Sequence, residues 1–460
     1  MKIALVFPRF KYPSGDPPLG VLYLSSYLKK TFGEQVDVKV LDTTFHPDMD
    51  FVKKFFEKEK PDIVGISMLS LMYNYGSNVA KLAKENGSIV ISGGPHSTVR
   101  PDSILANNFF DGACIGEGEI TFSEFIKRFL EDKNYWDTNG IWYKINGKII
   151  KNELREPIQD IDNFPFPDRG MIDMKTYMEN WFQLDSVSPK LRGTNIISSR
   201  GCPFDCSYCQ PTLRKIFGSK ARIRSPSNVV EELEFLVKKY KINAFMFQDD
   251  TLTAFKQWVN DFCKLLSESN LDLLWGCNTR ANLMDTELLQ EMKRAGLRKI
   301  FIGGESSSQR ILDEIYNKGI KVEQVRNLAK KAHDLGIKTQ VYFMLGAPTE
   351  TIEEIRQTIK FAVSLDADEA TFSIATPLPE THLYEMMKKD GWKLSENFED
   401  YDYYKKNSYF RGDVSFKKLE NLKREALIKF YFSPKRLKST IKSIIEPSGM
   451  KKILLKIKRV

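Results

Sequence analysis

The chain has 460 residues, 42% hydrophobic and 28% charged, a balance that fits a multidomain globular protein and excludes a disordered or fibrous one. No stretch approaches ~18 uninterrupted apolar residues, which argues against a transmembrane helix; six cysteines are too few for a disulfide framework, so a reducing, cytoplasmic setting is expected. The net charge of +9 is uneven: from Ser415 to Val460 there are 14 Lys or Arg against three acids, which leaves the body of the chain without the charge excess of a nucleic-acid-binding protein.

Strand and helix alternate over residues 1–150. The opening apolar run Lys2–Phe7 reads as a first strand rather than a signal peptide. Helix 19–31, strand 36–41 and helix 49–58 follow. Strand Ile63–Ser67 is apolar almost throughout, as in a buried parallel sheet. Helix 75–85, strand 89–92, strand 113–115 and helix 120–130 complete the series. This order predicts a doubly wound, Rossmann-like α/β domain whose ligand lies beyond the carboxyl ends of the strands. Gly20, Gly93, Gly94, Gly116 and Gly118 cluster at those ends, where they permit close approach of backbone to a large flat ligand or a phosphate. No Gly-x-Gly-x-x-Gly follows the first strand, which argues against a nicotinamide cofactor. His96 follows a Gly-Gly-Pro turn, where a backbone cap or a cofactor contact is favoured over metal ligation.

Residues 151–193 read as a linker, punctuated by Pro157, Pro165 and Pro167, with 171–191 expected to cover one mouth of the next domain. A second α/β series then runs over 194–380. Its six strand–helix units predict a partial (β/α)6 barrel with ligand chemistry at the strand carboxyl ends. The first strand, 195–199, delivers Cys202-Pro-Phe-Asp-Cys206-Ser-Tyr-Cys209. A structural zinc site wants four ligands, and no fourth of matching pattern follows. Three thiolates instead suggest an iron–sulfur cluster with one iron open to an exogenous ligand, the bland alternative being three structural cysteines. At the later strand ends stand Gln248-Asp249-Asp250, Arg280 and Glu305-Ser306. Either aspartate could accept from an ammonium, Arg280 could pair with a carboxylate, and Glu305 could hold ribose hydroxyls: together, a set for an amino acid joined to a nucleoside. Cys114, Cys263 and Cys277 are expected to be buried packing residues. Residues 381–460 read as a helical region ending in a basic tail, with an aromatic stretch at 398–404. Alternating apolar and basic residues in that tail suit a peripheral membrane contact, an anionic partner or a helix packed on the barrel.

The Cys-x3-Cys-x-aromatic-Cys order, with Tyr208 as the aromatic, resembles the signature of radical S-adenosylmethionine (SAM) enzymes. Upstream, Pro17-Pro18-Leu19-Gly20, Gly93-Gly94-Pro95-His96 and Gly116-Glu117-Gly118-Glu119, in that order, resemble the cobalamin-binding domain carried by many of them. The likeness covers residues 1–380. It implies a [4Fe–4S] cluster held by Cys202, Cys206 and Cys209, with the open iron chelated by SAM. It also implies a cobalamin held by Leu19, Gly20, Ser67, Gly93, Gly94, Pro95, His96, Gly116, Glu117 and Gly118. Gln248 and Asp249 are then expected near the methionyl amine, Arg280, Glu305 and Ser306 at carboxylate and ribose, and Tyr208, Gly346 and Leu378 near adenine. Gln-Asp-Asp stands where many relatives have Gly-Gly-Glu, and Glu380 interrupts a frequent Pro-Gly-Thr. No histidine has an aspartate two residues before it, so the axial-ligand motif Asp-x-His-x-x-Gly of other cobalamin proteins is missing.

The function implied is that of a methyltransferase acting on an unactivated carbon. A reduced cluster cleaves SAM to a 5′-deoxyadenosyl radical, the radical removes a hydrogen atom from substrate, and the substrate radical takes methyl from methylcobalamin. An electron donor such as ferredoxin or flavodoxin is implied too. A cobalamin-dependent cyclase or rearrangement enzyme, and a non-catalytic cobalamin or redox sensor, are the alternatives. Methylthiolation of RNA fits less well, because residues 1–113 contain no cysteine. A small molecule, a lipid and a peptide remain open as substrates.

Overall fold

A computed structural model describes residues 1–402, 409–410 and 414–445. The end of the aromatic stretch and the tail from residue 446 lie outside the described residues. Two compact units are formed: one of residues 1–180 with 212–222 and 397–400, the other of residues 181–211, 223–396 and 401–460.

The first unit is built on β1 (Lys2–Phe7), β2 (Asp37–Asp42), β3 (Ile63–Ser67), β4 (Ile89–Gly93), β5 (Gly112–Cys114), β6 (Ile141–Ile145) and β7 (Lys148–Lys151). The sheet order is β2-β1-β3-β4-β5-β6-β7, parallel as far as β5. Alternation along β1 supplies both cores. Ala4 and Val6 face one way, packing with Val52, Phe56, Val79 and Ala83 of the helices Met49–Glu59 and Tyr73–Glu85. Ile3 and Leu5 face the other way, packing with Val21, Leu28, Phe122 and Phe125 of Leu19–Phe32 and Gly118–Leu130. Helices on both faces make the sheet doubly wound as expected, and the order reverses between β1 and β3, the crevice where such sheets bind ligands.

The antiparallel hairpin β6–β7 extends the sheet. Its turn is Asn146-Gly147, with φ of 49° and 76°, the left-handed pair of a two-residue type I′ turn. The proline-rich stretch is not a free linker. Ile161 and Phe164 are buried, Ser26 Oγ donates to the Phe166 carbonyl at 2.6 Å, and Lys29 pairs with Asp168 at 2.8 Å. Proline keeps the chain extended, but its apolar side chains are drawn onto the first unit. Tyr177 is fixed by a hydroxyl bond to Asp42 at 2.5 Å.

The second unit carries β8 (Gly193–Ile196), β9 (Ala244–Phe247), β10 (Leu274–Thr279), β11 (Leu297–Glu305), β12 (Lys338–Leu345) and β13 (Glu369–Ile374). They form one parallel sheet in sequence order, with β8 and β13 as its two edges. The connecting helices start at strong caps, such as Ser225 before Pro226 and the reciprocal Thr351–Glu354 box. The strand expected over 195–199 stops at Ile196. The Ser198 amide and hydroxyl bond the Asp249 carboxylate at 3.1 and 2.8 Å, and the Ile197 carbonyl accepts from Arg224 at 2.9 Å, so these groups leave the ladder.

Trp181 and Leu184 fill the inside of this sheet towards the amino ends of its strands, together with Ala244, Met246 and Phe301. A Cβ on Gly193 would stand 2.1 Å from the Trp181 ring, and the indole N–H donates to Asn195 Oδ1 at 2.7 Å. Of the segment expected to cover one mouth, residues 181–184 lie at the amino-terminal end. The carboxyl-terminal end is left for chemistry.

Candidate active site

The cysteine loop is clamped from two sides within the second unit. The Ser207 amide donates to the Tyr316 carbonyl at 2.9 Å, and Asn317 Nδ2 to the Asp205 carbonyl at 2.9 Å. On the other side, the amides of His382 and Leu383 donate to Gln210 and Ser207 at 2.7 and 2.9 Å. The first clamp begins with a wide, π-type turn over Ile311–Ile315, a form often found at functional sites.

Two cations stand over the sulfurs. Arg280 Nη1 donates to Cys206 Sγ at 3.1 Å, its Nη2 to the Lys318 carbonyl, and its guanidinium lies 3.8 Å over the Phe204 ring. Lys318 Nζ donates to Glu305 Oε1 and to Tyr208 Oη, both at 2.8 Å, and Tyr208 Oη donates to the same carboxylate oxygen at 3.1 Å. The Lys318 and Glu305 side chains are nearly shut off from solvent, Tyr208 is half-buried, and Glu305 is held at a φ of 57°, a left-handed conformation uncommon for glutamate. Gly303 makes room for them, since a Cβ there would stand 2.5 Å from Glu305 Oε1. Burial, then the Glu305 charge, pushes the Tyr208 phenol well above its ordinary range.

Cys202 Sγ lies 3.8 Å from Thr251 Oγ1. Burial raises both the Cys202 and the Cys209 thiols, and Cys206 is close enough to couple to each. The three sulfurs thus share one electrostatic neighbourhood. Among the described residues no set of three or more His, Cys, Asp or Glu side chains already stands in a metal-binding arrangement.

Around this centre the other expected residues fall into distinct roles. Asp249 is fully engaged with Ser198 and Ser199, and burial pushes its carboxyl upward. Asp250 is the freer acid: it reaches the surface, yet its walls desolvate it enough, with help from Asp249, to lift it to about 6. Gln248 and Leu378 are exposed beside these strand ends. Ser306 is turned inward: its hydroxyl accepts from the Ser308 amide at 3.1 Å and lies 3.3 Å from Thr358 Oγ1, so as placed it serves the loop rather than a ligand. Gly346 has a packing reason of its own, a φ of 85° with Leu419 2.7 Å from a would-be Cβ, and its amide already donates to Glu350. Two buried polar atoms of residues that contact the cysteine loop, Arg280 Nε and Tyr316 Oη, have no hydrogen-bond partner among the described residues. Lys318, Thr251 and Tyr316 are not marked by sequence: nothing in their spacing singles them out, because folding alone brings them to the loop.

In the first unit the strand carboxyl ends present small residues and open space. Nothing lies within 4 Å of a Cβ built on Gly20; at Gly93 and Gly116 the nearest atoms are at 4.0 and 3.9 Å. Leu69, just beyond β3, exposes an apolar side chain there. At Gly94, with a φ of 83°, a Cβ would instead stand 2.8 Å from Ser67 Oγ and 3.1 Å from the Met68 amide nitrogen. Pro95 starts the short helix that follows and Gly118 the helix Gly118–Leu130, while Leu19 is buried at the head of its own.

Two expectations need correction here. His96 is 0% exposed, with Nδ1 at 2.9 Å from Ser70 Oγ, Nε2 at 3.0 Å from Ser103 Oγ, and its ring between Tyr73 and Phe398. Burial, then Arg100, lowers it to about 3, so it is a neutral packing residue with both nitrogens engaged rather than a cofactor contact. Glu117 is likewise committed, in a buried two-pronged pair with Arg222 at 2.8 and 3.2 Å, and it accepts the Ile158 amide at 3.2 Å. Burial lifts Cys114 and Cys263 to about 12 and Cys277 further, which makes them inert packing thiols.

Residues 196–362 match the Radical SAM superfamily, and residues 11–126 the B12 binding domain. An uncharacterized methyltransferase of Pyrococcus horikoshii is 35% identical over 98% of this chain and 96% of its own length. An anaerobic magnesium-protoporphyrin IX monomethyl ester cyclase of Rubrivivax gelatinosus is 30% identical over 92% of this chain and 77% of its own. Among solved structures, the cobalamin-dependent SAM radical enzyme OxsB, with aqua-cobalamin and SAM bound, shares the fold at a TM-score of 0.73 and 19% identity, over 100% of this chain and 71% of that one.

Proposed function

The chain belongs to the radical SAM superfamily, among the members that carry an amino-terminal B12 binding domain, and from that premise we propose that it transfers the methyl group of SAM, by way of cobalamin, to an unactivated carbon. When bound, the cluster and SAM supply a 5′-deoxyadenosyl radical and the corrinoid supplies the methyl group. The observation that carries the reading is the cysteine loop at the carboxyl ends of the barrel strands, set beside the buried Arg280, Lys318 and Glu305 and the more exposed Asp250.

The residues fit that load. Cys202, Cys206 and Cys209 would hold three irons and leave the fourth open. Arg280, with its buried and unpartnered Nε, would meet the methionyl carboxylate or the cluster's negative charge. Asp250, better placed than Asp249, would accept from the methionyl ammonium. Glu305, steadied by Lys318, would accept from ribose hydroxyls, with Tyr208 and Leu378 beside the adenine. In the first unit, Gly20, Gly93 and Gly116 with Leu69 would offer an open, largely uncharged seat to the corrin. An electron would come from a donor such as ferredoxin or flavodoxin.

Methyl-deuterated SAM tests the proposal. Reconstituted anoxically with a reductant and host extract, the protein should yield a product that keeps all of the label's methyl deuterium. The similarity to the Rubrivivax cyclase favours a second reading, a ring-closing reaction without methyl transfer. Formation of 5′-deoxyadenosine with an unlabelled product would select that reading and overturn the first.

A further inference from the structure

The final described helices of the second unit expose an apolar stripe that the chemistry above does not use. Ile428 and Phe432, at the end of the helix Phe416–Tyr431, are 60% and 56% exposed. On the next helix, Leu437–Ile445, Leu437, Ile441 and Ile444 are exposed at spacings of four and three residues, one face of a helix. Lys429, Lys435 and Lys438 are exposed among them.

The stripe rests on a rigid footing. Arg436 is buried, donates from Nε to the Ala367 carbonyl at 2.8 Å and from Nη1 to the Val363 carbonyl at 3.1 Å, and lies 3.8 Å over the Phe430 ring. Lys435 pairs with Asp366 at 2.9 Å. Those partners immediately precede β13, so the helix is anchored at the amino-terminal end of the barrel strands, opposite the cysteine loop. Thr440 ties its inner side to the Tyr431 carbonyl at 2.8 Å.

Large apolar side chains on a fixed helix, ringed by cations and followed by a sequence rich in Lys and Ile, match a surface with a hydrocarbon interior and negative headgroups. No described helix is long and apolar enough to cross a membrane. We propose that the face formed by Ile428, Phe432, Leu437, Ile441 and Ile444, with the lysines exposed among them, docks the protein on an anionic lipid bilayer. The charge argument selects this occupant: the 14 cations and three acids from Ser415 onward would repel a second copy of the same face. Docking through this end leaves the cysteine loop facing away from the bilayer, so the contact fixes location and does not require the cofactors.

Co-sedimentation of the full-length protein with phosphatidylcholine vesicles, with and without phosphatidylglycerol, tests this. Binding should appear only with phosphatidylglycerol and fall as salt rises. Ile441→Asp with Ile444→Asp should abolish it and leave the circular dichroism unchanged. Lys429→Gln with Lys438→Gln should weaken it, each lysine contributing about fivefold. Wild-type protein that stays in the supernatant, or that binds both vesicle types equally and ignores these substitutions, would overturn the proposal. So would a concentration-dependent dimer, broken by Ile441→Asp with Ile444→Asp, in place of vesicle binding.

Discussion

The two units treat charge in opposite ways at the ends of their strands. The barrel gathers Arg280, Lys318, Glu305 and Asp250 around its cysteine loop and leaves some of their hydrogen-bonding capacity unused. The first unit locks its nearest polar side chains away, Glu117 against Arg222 and the neutral His96 between two serines, and lines its strand ends with glycine. A small zwitterion on a charged cluster needs partners of both signs at fixed positions, whereas a broad ring system needs room and a flat backbone. The difference separates residues that bind from residues that shape.

That contrast is breakable at graded cost. Removing one sulfur should have the largest effect: Cys202→Ala is expected to lower iron content and bring reductive SAM cleavage to background, read as 5′-deoxyadenosine. Next come the buried pairs. Lys318→Met takes the buried cation from Glu305, and Arg222→Met takes it from Glu117; each should cost about 3–5 kcal/mol in urea unfolding. Pairing Lys318→Met with Glu305→Gln should recover much of the loss. If the two units differ as described, Lys318→Met should also weaken SAM binding, and Arg222→Met should leave it intact. A smaller loss, ~1–3 kcal/mol, is expected for Gly94→Ala, whose Cβ would crowd Ser67 and Met68 at a positive φ. Gly20→Ala should be nearly silent in stability but lower corrinoid uptake. His96→Gln should cost about 1 kcal/mol and leave the electron paramagnetic resonance of bound corrinoid unchanged.

The smallest effect is on pH. Burial raises the Asp250 carboxyl to about 6, above its unfolded value, so the folded form favours the proton; the stability this confers is complete below the unfolded value and is lost as pH rises through about 6. The same carboxylate is what an ammonium needs. SAM affinity should therefore increase as pH rises through that range, by up to about tenfold for each pH unit crossed, and Asp250→Asn should flatten the profile in isothermal titration.

Much of this was legible in sequence because it is periodic or tightly spaced. The apolar alternation of β1 and β3, the helical stretches near 19–32 and 226–240, and the cysteine loop all declare themselves locally. The Asn146-Gly147 turn was equally legible, a strong hairpin signal between two apolar strands, and should have extended the first sheet. Other features were hidden for a physical reason. Lys318 acquires its role only when the turn at 311–315 folds back over the cysteine loop, and Arg222 only when it meets Glu117 more than a hundred residues earlier. His96 was misjudged because a Gly-Gly-Pro-His turn looks like an open loop, and only Tyr73 and Phe398, from distant segments, reveal that it is sealed. The prolines of 157–167 signalled extension correctly, but extension is compatible with packing when Ile161 and Phe164 lie between them.

The most direct test is an anoxic preparation assayed for bound metals and SAM cleavage together. Roughly four irons and about one corrinoid per chain are expected, with 5′-deoxyadenosine formed by the wild type and not by Cys202→Ala. A protein that takes up neither iron nor corrinoid, or a Cys202→Ala variant that still cleaves SAM, would contradict the assignment.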